Sequence, residues 1–537
     1  MGTYLNPGNN GFQRIVKGEY IDKTGLIGLI NSTIGTTKNL ICISRPRRFG
    51  KSYAAQMLCA YYDKTCDSHS LFDPYVIASD PSYEEHIQKY DVIYIDVAGL
   101  IGETSVDKVV EFIKESVIHE IKDQYPGIKD ENGFISQLVA LVEHTNNKII
   151  MIIDEWDAPI RESGGQLSVQ KEYLEFLRSL FKNSGTTSKI FAAAYMTGIL
   201  PIKKDGSQSA ISDFREYSML EPLMFAEYVG FTEDEVRQEC IKNNRDYTKM
   251  KNWYDGYTVG NYQTIYNPYS VMHALETGKY ISYWKQTTAA DTLMTYIDMD
   301  MDGLQADIVR LIAGESIVVD TGSFQNDVET FTCKDDVLTL LIHLGYLTYD
   351  VVSDPSYSGT TDELTGLAKI PNEEVRSEFE RILRRSKHKT LIDLVRKSDQ
   401  LLQDTLSGNE EAVARAIEEV RITDYAPQFY NNEQSLRYTI KMAYLSCIDQ
   451  YAVVQELPSG QGIADVVFIP KRKSSLPGMI IELKWDKSAS GALNQIKEKG
   501  YQGILENYIG KVVLVEINYS VKTKNHSCKI EFANKST

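Results

Sequence analysis

The order of apolar and polar positions predicts buried strands alternating with amphipathic helices in the N-terminal part of the chain. Apolar runs of strand length without alternation suit strands buried on both faces, as in a parallel sheet. Such runs lie within residues 39–52, 92–95, 148–157 and 190–196. Between them, residues 108–121 and 170–181 carry apolar side chains at helical spacing. This alternation predicts an α/β fold built on a doubly wound parallel sheet.

The pattern changes to mostly helical spacing after residue 225. Thr232 and Glu235 have the spacing of a capping box, which marks the start of a helix. Residues 329–350 predict a helix followed by a short strand, as in a winged-helix unit. Residues 371–448 are again helical in pattern, and strand-like runs return from residue 451. At 537 residues the chain is too long for a single core, so we expect several domains.

The turn after the first apolar run carries the residues of a phosphate-binding loop. Residues 43–52 read ISRPRRFGKS, and a predicted helix follows. Such a loop needs backbone N–H groups at a helix N-terminus, a Lys for the β- and γ-phosphates, and a hydroxyl for Mg²⁺. The full motif G-x-x-x-x-G-K-[ST] would have glycine where Arg45 stands, so the match is partial. The residues predicted to bind the nucleotide are Arg48, Phe49, Gly50, Lys51 and Ser52, with Ser52 also on the metal.

Acidic residues follow another apolar run, where residues 148–157 read KIIMIIDEWD. They come just past the C-terminal end of a predicted strand, where open α/β sheets bind ligands. In a P-loop ATPase the first acid holds Mg²⁺ and the next polarises the attacking water. We therefore predict Asp154 as a cofactor and metal ligand and Glu155 as the catalytic acid, with Asp157 as the next candidate. The alternative is a strand followed by a solvated acidic turn, and Thr197 is either a γ-phosphate sensor or a structural cap.

Four segments make the N-terminal half similar to a known family. They read YIDKTGLI (20–27), ISRPRRFGKS (43–52), IIDEWDAPI (152–160), and NWYDGYTVG with IYNPYSV (252–271). Over residues 4–275 the chain thereby resembles the AAA-ATPase-like family, whose members usually carry a nuclease-like C-terminal domain. The resemblance implies ATP and Mg²⁺ as cofactors. It also accommodates Arg45, because the family tolerates Arg there, whereas Trp156 departs from the usual D-E-[YF]-D.

A second set of charged residues lies in strand-like runs near the C-terminus, at residues 464–469 and 479–484. Glu482 and Lys484 point to one face of their strand, which is costly unless they are paired or bound to an ion. Asp465 on the other strand supplies a second carboxylate. Two hard oxygen ligands suit Mg²⁺, which can activate water against a phosphodiester. We predict that Asp465 and Glu482 are metal ligands and that these two residues and Lys484 are catalytic. The alternative is that the E-x-K triplet consists of ordinary surface residues.

This arrangement resembles the PD-(D/E)XK nuclease superfamily. The family's G-x-x-D strand, I-E-x-K strand and Q-I-x-x-K-G-Y helix match residues 462–465, 481–484 and 495–501, the last including Gln495 and Tyr501. The resemblance implies a metal-dependent nuclease. Glu456 is either an additional acid or a solvated strand residue.

Composition limits the partners. The net charge of −17 argues against nucleic-acid binding over the whole surface. Two local basic runs are solvated faces or, as the minority interpretation, phosphate contacts: Arg381, Arg384, Arg385, Lys387, Lys389, Arg396 and Lys397, and Lys471, Arg472 and Lys473. Seven scattered cysteines without a C-x-x-C pair predict reduced thiols in the cytoplasm. Without a long apolar run or signal segment, we expect no membrane association.

Together these patterns predict an ATPase coupled to a nuclease domain. The predicted segments are a P-loop core (1–224), a helical lid (225–320), a candidate winged-helix unit (321–370), a helical linker (371–450) and a mixed α/β nuclease-like domain (451–537). The predicted partner is nucleic acid, with DNA the first choice, and a homo-oligomeric state is compatible with the pattern. The alternative is a nucleotide-dependent switch whose nuclease-like domain binds a partner or nucleic acid without cleavage.

Overall fold

The chain forms two compact units in the computed structural model. One comprises Met1–Ala289 with Val318–Val375, and the other comprises Ala290–Ile317 with Arg376–Thr537. The structure describes residues 2–182, 184–202, 204–205, 208–209, 211, 213–260, 262–284, 301–312, 314–324, 331–351, 365–385, 389–421, 433–444, 447, 450–459, 462–470, 476–486 and 512–533. All seven cysteines are free thiols. Within these ranges no helix combines the length and apolar character needed to cross a bilayer.

The strands, numbered along the chain, are β1 (Leu40–Ser44), β2 (Asp91–Asp96), β3 (Ile149–Asp154), β4 (Phe191–Gly198), β5 (Lys204–Asp205), β6 (Gln208–Ser209), β7 (Arg215–Tyr217), β8 (Phe231–Thr232), β9 (Tyr257–Val259), β10 (Tyr262–Tyr266), β11 (Ile317–Asp320), β12 (Thr348–Val351), β13 (Thr365–Lys369), β14 (Tyr451–Ser459), β15 (Gly462–Pro470), β16 (Gly478–Trp485), β17 (Val512–Ser520) and β18 (Asn525–Ala533).

The α-helices are α1 (Asn10–Val16), α2 (Gly25–Asn31), α3 (Lys51–Tyr62), α4 (His69–Phe72), α5 (Tyr83–His86), α6 (Val97–Glu103), α7 (Val109–Gln124), α8 (Phe134–Thr145), α9 (Ala158–Glu162), α10 (Leu167–Phe181), α11 (Ser184–Ile190), α12 (Glu233–Lys242), α13 (Tyr247–Tyr254), α14 (Pro268–Thr277), α15 (Leu304–Ile312), α16 (Lys334–Leu344), α17 (Glu373–Arg385), α18 (Lys389–Ser407), α19 (Glu410–Arg421) and α20 (Glu433–Ala443). Short 3₁₀ turns lie at Val76–Ser79, Val106–Lys108, Leu223–Phe225 and Met301–Gly303.

The core of the first unit is a parallel sheet with the strand order β2-β3-β4-β1-β7. All residues of β1, β3 and β4 are buried, because α7, α8 and α10 pack on one face and α3 contacts the other. The predicted α/β fold with a parallel sheet is confirmed, as are helices α7 and α10. Strands β1 and β3 both run parallel to β4, which lies between them. The loop after β1 and the acids after β3 therefore lie at the same end of the strands, separated by the width of one strand.

Smaller elements complete the first unit. Helices α12 to α14 share a core beside the antiparallel sheet β8-β10-β9. The predicted capping box is confirmed, because Thr232 Oγ1 accepts from the N–H of Glu235 (3.4 Å) and the Glu235 carboxylate accepts from the N–H of Thr232 (2.7 Å). Helix α16 is followed by the antiparallel pair β12–β13, within the sheet β11-β13-β12. The winged-helix assignment and the segment boundaries remain predictions.

The second unit contains a mixed sheet with the order β14-β15-β16-β17-β18. Within this sheet, β16 and β17 pair in parallel, and the other three pairs of adjacent strands are antiparallel. Helices α18 to α20 contribute to the core on one sheet face, which contains Ile481 and Leu483. The predicted helix with Gln495 and Tyr501 lies outside the described residues, and so do Lys387 and the run Lys471, Arg472 and Lys473.

Candidate functional site

The loop after β1 turns directly into helix α3. Gly50 has a left-handed backbone (φ 90°), and a Cβ added there would meet nothing within 4 Å, so the loop faces open space. Helix α3 begins at Lys51, whose Nζ donates to the carbonyl oxygens of Arg45 (3.0 Å) and Pro46 (2.9 Å). Burial lowers the pKa of the Lys51 ammonium, and nearby carboxylates oppose this effect. The loop thus holds a buried cation at a helix N-terminus, where anions bind.

Ser52 and Asp154 meet beside this lysine. Asp154 is buried at the end of β3, close enough to the Ser52 hydroxyl for that group to affect its carboxyl. Burial raises the pKa of Asp154 to about 6, against the opposing effects of Ser52 and Lys51. Thr197, at the end of the intervening strand β4, is fully buried, and its hydroxyl has no hydrogen-bond partner within the described part of the chain. The predicted Lys51, Ser52 and Asp154 therefore lie together.

The other two acids of the D-E-W-D segment have different surroundings. Asp157 is fully buried and accepts hydrogen bonds from Arg161 Nε (2.9 Å) and from the N–H groups of Ile199 (3.2 Å) and Leu200 (2.9 Å). Its role is to hold the turn after β4. Glu155, whose side chain is 22% exposed, accepts from the Arg161 guanidinium at 2.5 Å. The predicted catalytic Glu155 is thus the accessible acid, and Arg161 is a partner that the prediction lacked.

Arg45 points away from the loop. Its fully buried guanidinium donates through NH1 to the carbonyl oxygens of Ser44 (2.9 Å), Tyr217 (3.0 Å) and Ser218 (2.7 Å). Burial lowers its pKa to about 10. The residue at the first glycine position of the motif therefore connects β1 to the end of β7.

A cavity of about 380 Å³ opens in front of the loop, within the range of small-molecule sites. Its walls include Glu155, the segment around Tyr20, and helix α14, together with the five predicted loop residues Arg48, Phe49, Gly50, Lys51 and Ser52. Arg48 donates to the Tyr283 carbonyl (2.8 Å), and its guanidinium lies 4.6 Å from the Tyr269 ring centroid. The first unit thus contains a nucleotide-sized cavity that is lined by the predicted loop.

In the second unit, the predicted nuclease residues share one face of the mixed sheet. Residues Ile481 and Leu483 point into the helix-covered core, so Glu482 and Lys484 point to the opposite face. Lys484 Nζ donates to Glu482 at 3.0 Å. Asp465, on the adjacent strand β15, accepts from the N–H of Leu483 at 2.8 Å. The structure therefore brings Asp465, Glu482 and Lys484 together.

Two neighbours of these side chains were not predicted. Arg437 on α20 donates to Asp465 at 3.2 Å, and Glu516 on β17 is buried opposite Glu482 in the parallel register. A lone acid in the apolar run of β17 was a usable signal for Glu516, whereas no local pattern marks Arg437. Among the described residues, no three His, Cys, Asp or Glu side chains are arranged to hold a metal. Asp465 and Glu482 instead each contact a cationic side chain.

The basic run around α17 and α18 is partly neutralised. Arg381 pairs with Glu378, and Lys397 pairs with Glu419 at 2.7 Å. Arg396 is exposed, and nothing is described of the side chains of Arg384, Arg385 and Lys389. These ion pairs favour the interpretation of a solvated face over phosphate contacts for Arg381 and Lys397.

Residues 8–207 match the family model described as a predicted AAA-ATPase, and residues 431–529 match the model of the PD-(D/E)XK nuclease superfamily. The chain joins an AAA-ATPase-like N-terminal region to a PD-(D/E)XK nuclease superfamily domain. Both resemblances noted in the sequence are thus confirmed.

Three further similarities were found. An "uncharacterized protein in vnfD 5'region" of Azotobacter chroococcum mcd 1 is 21% identical over 516 residues, which cover 91% of each chain. A Signal Transduction ATPase with Numerous Domains (STAND) protein of Pyrococcus horikoshii is similar at 11% identity and a TM-score of 0.24, over 80% of this chain and 55% of that one. This chain thus spans about half of the Pyrococcus protein. The ORC2 protein of Aeropyrum pernix is similar at 12% identity and a TM-score of 0.24, over 69% and 94% of the two chains.

Proposed function

We propose that this protein binds and hydrolyses ATP in its AAA-ATPase-like region and couples the nucleotide state to a Mg²⁺-dependent phosphodiesterase domain acting on nucleic acid, with DNA the first choice. The observation that supports it most is a nucleotide-sized cavity lined by Lys51, Ser52 and Glu155, with buried Asp154 beside them. Seven free thiols are consistent with the reducing cytoplasm as its location.

In this proposal, the loop N–H groups and Lys51 bind the phosphates, and Ser52 and Asp154 hold Mg²⁺. The metal supplies charge neutralisation of the phosphate oxygens. Glu155 orients the attacking water and takes its proton, because it is the acid of the D-E-W-D segment that lines the cavity wall. Arg161, which pairs with Glu155, holds this carboxylate in place until that step.

The nuclease-like site fits a small divalent cation. Asp465 and Glu482 are two carboxylates on one sheet face, and each already attracts a cationic side chain. Mg²⁺ commonly uses one or two carboxylates and completes its shell with water. A bound metal would supply an activated water, and Lys484 would offset the charge that develops at the phosphate.

A cleavage assay with Mg²⁺ tests this half of the proposal. Single- and double-stranded DNA and RNA are incubated with the full chain, with and without ATP. Ala at Asp465, Glu482 or Lys484 should each abolish Mg²⁺-dependent hydrolysis, and a double variant should lose little more than either single one. Exposed Lys529→Ala on β18 is the matched control and should cut at the parent rate. No cleavage of any substrate by the parent chain would refute the nuclease assignment.

The second candidate is a nucleotide-dependent switch that binds nucleic acid or a partner without cutting. The observation that favours it is the internal neutralisation of both carboxylates, Asp465 by Arg437 and Glu482 by Lys484. ATP turnover together with nucleic-acid binding but no Mg²⁺-dependent cleavage would establish this alternative.

A further inference from the structure

The two carboxylates of the nuclease-like site are neutralised from different elements. Lys484 lies two residues from Glu482 on the same strand, so the strand itself keeps these two side chains close. Arg437 comes from helix α20 and donates to Asp465 at 3.2 Å. The side chains of Arg437 and Asp465 are 18% and 14% exposed. This second pair is not fixed by one strand, since its two members lie on a helix and on strand β15.

Asp465 would keep support if this pair separated. Its other oxygen accepts from the N–H of Leu483 at 2.8 Å, and that backbone bond holds the carboxylate beside strand β16, which carries Glu482. A half-buried carboxylate that loses its cation needs another one. A divalent ion held by Asp465 and Glu482 would provide it and would repel the guanidinium.

The released group has the chemistry of a phosphate ligand. A guanidinium is always charged, and its planar fork fits carboxylate and phosphate oxygens equally well. Arg437 already contacts Asp465, the neighbour of Glu482 and Lys484 in this site. A phosphodiester that enters this face lies within reach of its fork.

We propose that Arg437 is a phosphate-binding residue of the nuclease-like site, and that its pairing with Asp465 neutralises this carboxylate until a divalent cation replaces it. This inference rests on the proposed nuclease-type site. Arg437 exchanges one anion, the Asp465 carboxylate, for another, a non-bridging phosphate oxygen of the nucleic acid. Metal binding and substrate binding are thereby linked through one side chain.

The test measures binding of Mg²⁺ and DNA to the full chain. Mg²⁺ is titrated calorimetrically without nucleotide, and the signal lost in Asp465→Ala defines this site. Arg437→Gln should bind Mg²⁺ about fivefold more tightly than the parent, because the competing cation is gone.

Binding of a fluorescent DNA oligonucleotide is then measured in a Lys484→Met background, which prevents cutting. There Arg437→Gln should lower the affinity about tenfold and reduce the slope of log K against log salt by about 1.

Two further variants separate a structural role from this one. Arg437→Lys keeps the charge and should restore the salt slope but only part of the affinity. Arg415→Gln removes an exposed arginine of helix α19 and should change neither measurement. An unchanged Mg²⁺ affinity or an unchanged salt slope in folded Arg437→Gln overturns the inference, even if the parent cuts DNA. If the parent shows no Asp465-dependent Mg²⁺ binding, the proposed nuclease function fails and this inference fails with it.

Discussion

Lys51 contributes a buried positive charge whose only described hydrogen-bond acceptors are the carbonyl oxygens of Arg45 and Pro46. Such neutral acceptors compensate a buried ammonium poorly, which is why burial lowers its pKa. Lys51→Ala should therefore leave stability nearly unchanged but reduce ATP affinity at least about 100-fold, since the phosphate charge loses its partner. Isothermal titration with Mg²⁺ and ATP measures this, with exposed Lys38→Ala as control. Equal affinities of Lys51→Ala and parent would refute the P-loop assignment.

Glu155 and Asp157 should respond differently to loss of their charge. Glu155→Gln should bind ATP normally and hydrolyse it about 100-fold more slowly or worse, because its amide cannot accept a proton. Asp157→Asn should instead destabilise the first unit by about 2–4 kcal/mol, because it weakens buried bonds to Arg161 and to two backbone N–H groups. Single-turnover hydrolysis and urea unfolding separate the two effects. Exposed Glu162→Gln is the control, and parent-like hydrolysis by Glu155→Gln would exclude Glu155 as the catalytic acid.

Also at the residue scale, the sequence predicts site residues that form a motif of fixed spacing. It does not predict residues whose partners are distant in sequence. Lys51 and Ser52 are recognisable because a helix N-terminus requires them to be adjacent. Arg45 was visible only as a departure from the motif, since its acceptors on Tyr217 and Ser218 are distant in sequence. Arg437 was missed for the same reason: its partner Asp465 lies on another element.

At the scale of elements, apolar runs predict strands well because burial on both faces leaves no room for polar side chains. The order of the strands is less accessible, because the placement of β4 between β1 and β3 depends on the long helical connections. The register of β16 and β17, which sets Glu516 beside Glu482, is likewise a long-range property. The sequence therefore predicts the elements of both sites but not the neighbours that complete them.

Helix α16 carries a buried histidine that should make the first unit sensitive to acid. Burial, with a smaller effect of the Arg45 charge, lowers the pKa of His343 to about 3. The unfolded chain takes up this proton below about pH 6.5, so stability falls as pH decreases from 6.5 towards 3. At pH 5 this contribution is about 2 kcal/mol. His343→Leu should remove this contribution. Between pH 7.5 and pH 5, the free energy of unfolding measured with urea should then fall by about 2 kcal/mol less than in the parent.

The control for this pH effect is His119→Gln on helix α7, since the side chain of His119 is 76% exposed. Its pH profile should run parallel to that of the parent. A His343→Leu profile that also runs parallel would show that the histidine becomes protonated without cost in the folded state, and hence that α16 opens to solvent.

At the scale of the whole molecule, a hydrogen-bonded path leads from the loop after β1 to the second of the two points where the chain leaves the first unit. Arg48 donates to the carbonyl of Tyr283, and the N–H of Tyr283 donates to buried Glu374 at 2.8 Å. Glu374 also accepts from Ser270 of α14 at 2.9 Å, and the first unit ends at Val375. A nucleotide that draws Arg48 towards its phosphates would weaken the first link of this path.

Nucleotide occupancy should therefore change nuclease activity through Glu374. In the parent, ATP should alter the rate of Mg²⁺-dependent cleavage about fivefold or more, the usual size of coupling between sites. Glu374→Gln should keep ATP binding and basal cleavage but reduce the ATP effect, because a neutral amide holds Tyr283 and Ser270 more weakly. The neighbouring Glu373→Gln, at an exposed position, should retain the full effect. If ATP changes the parent's cleavage and Glu374→Gln responds equally, coupling follows another route; if ATP changes nothing, the two activities are independent.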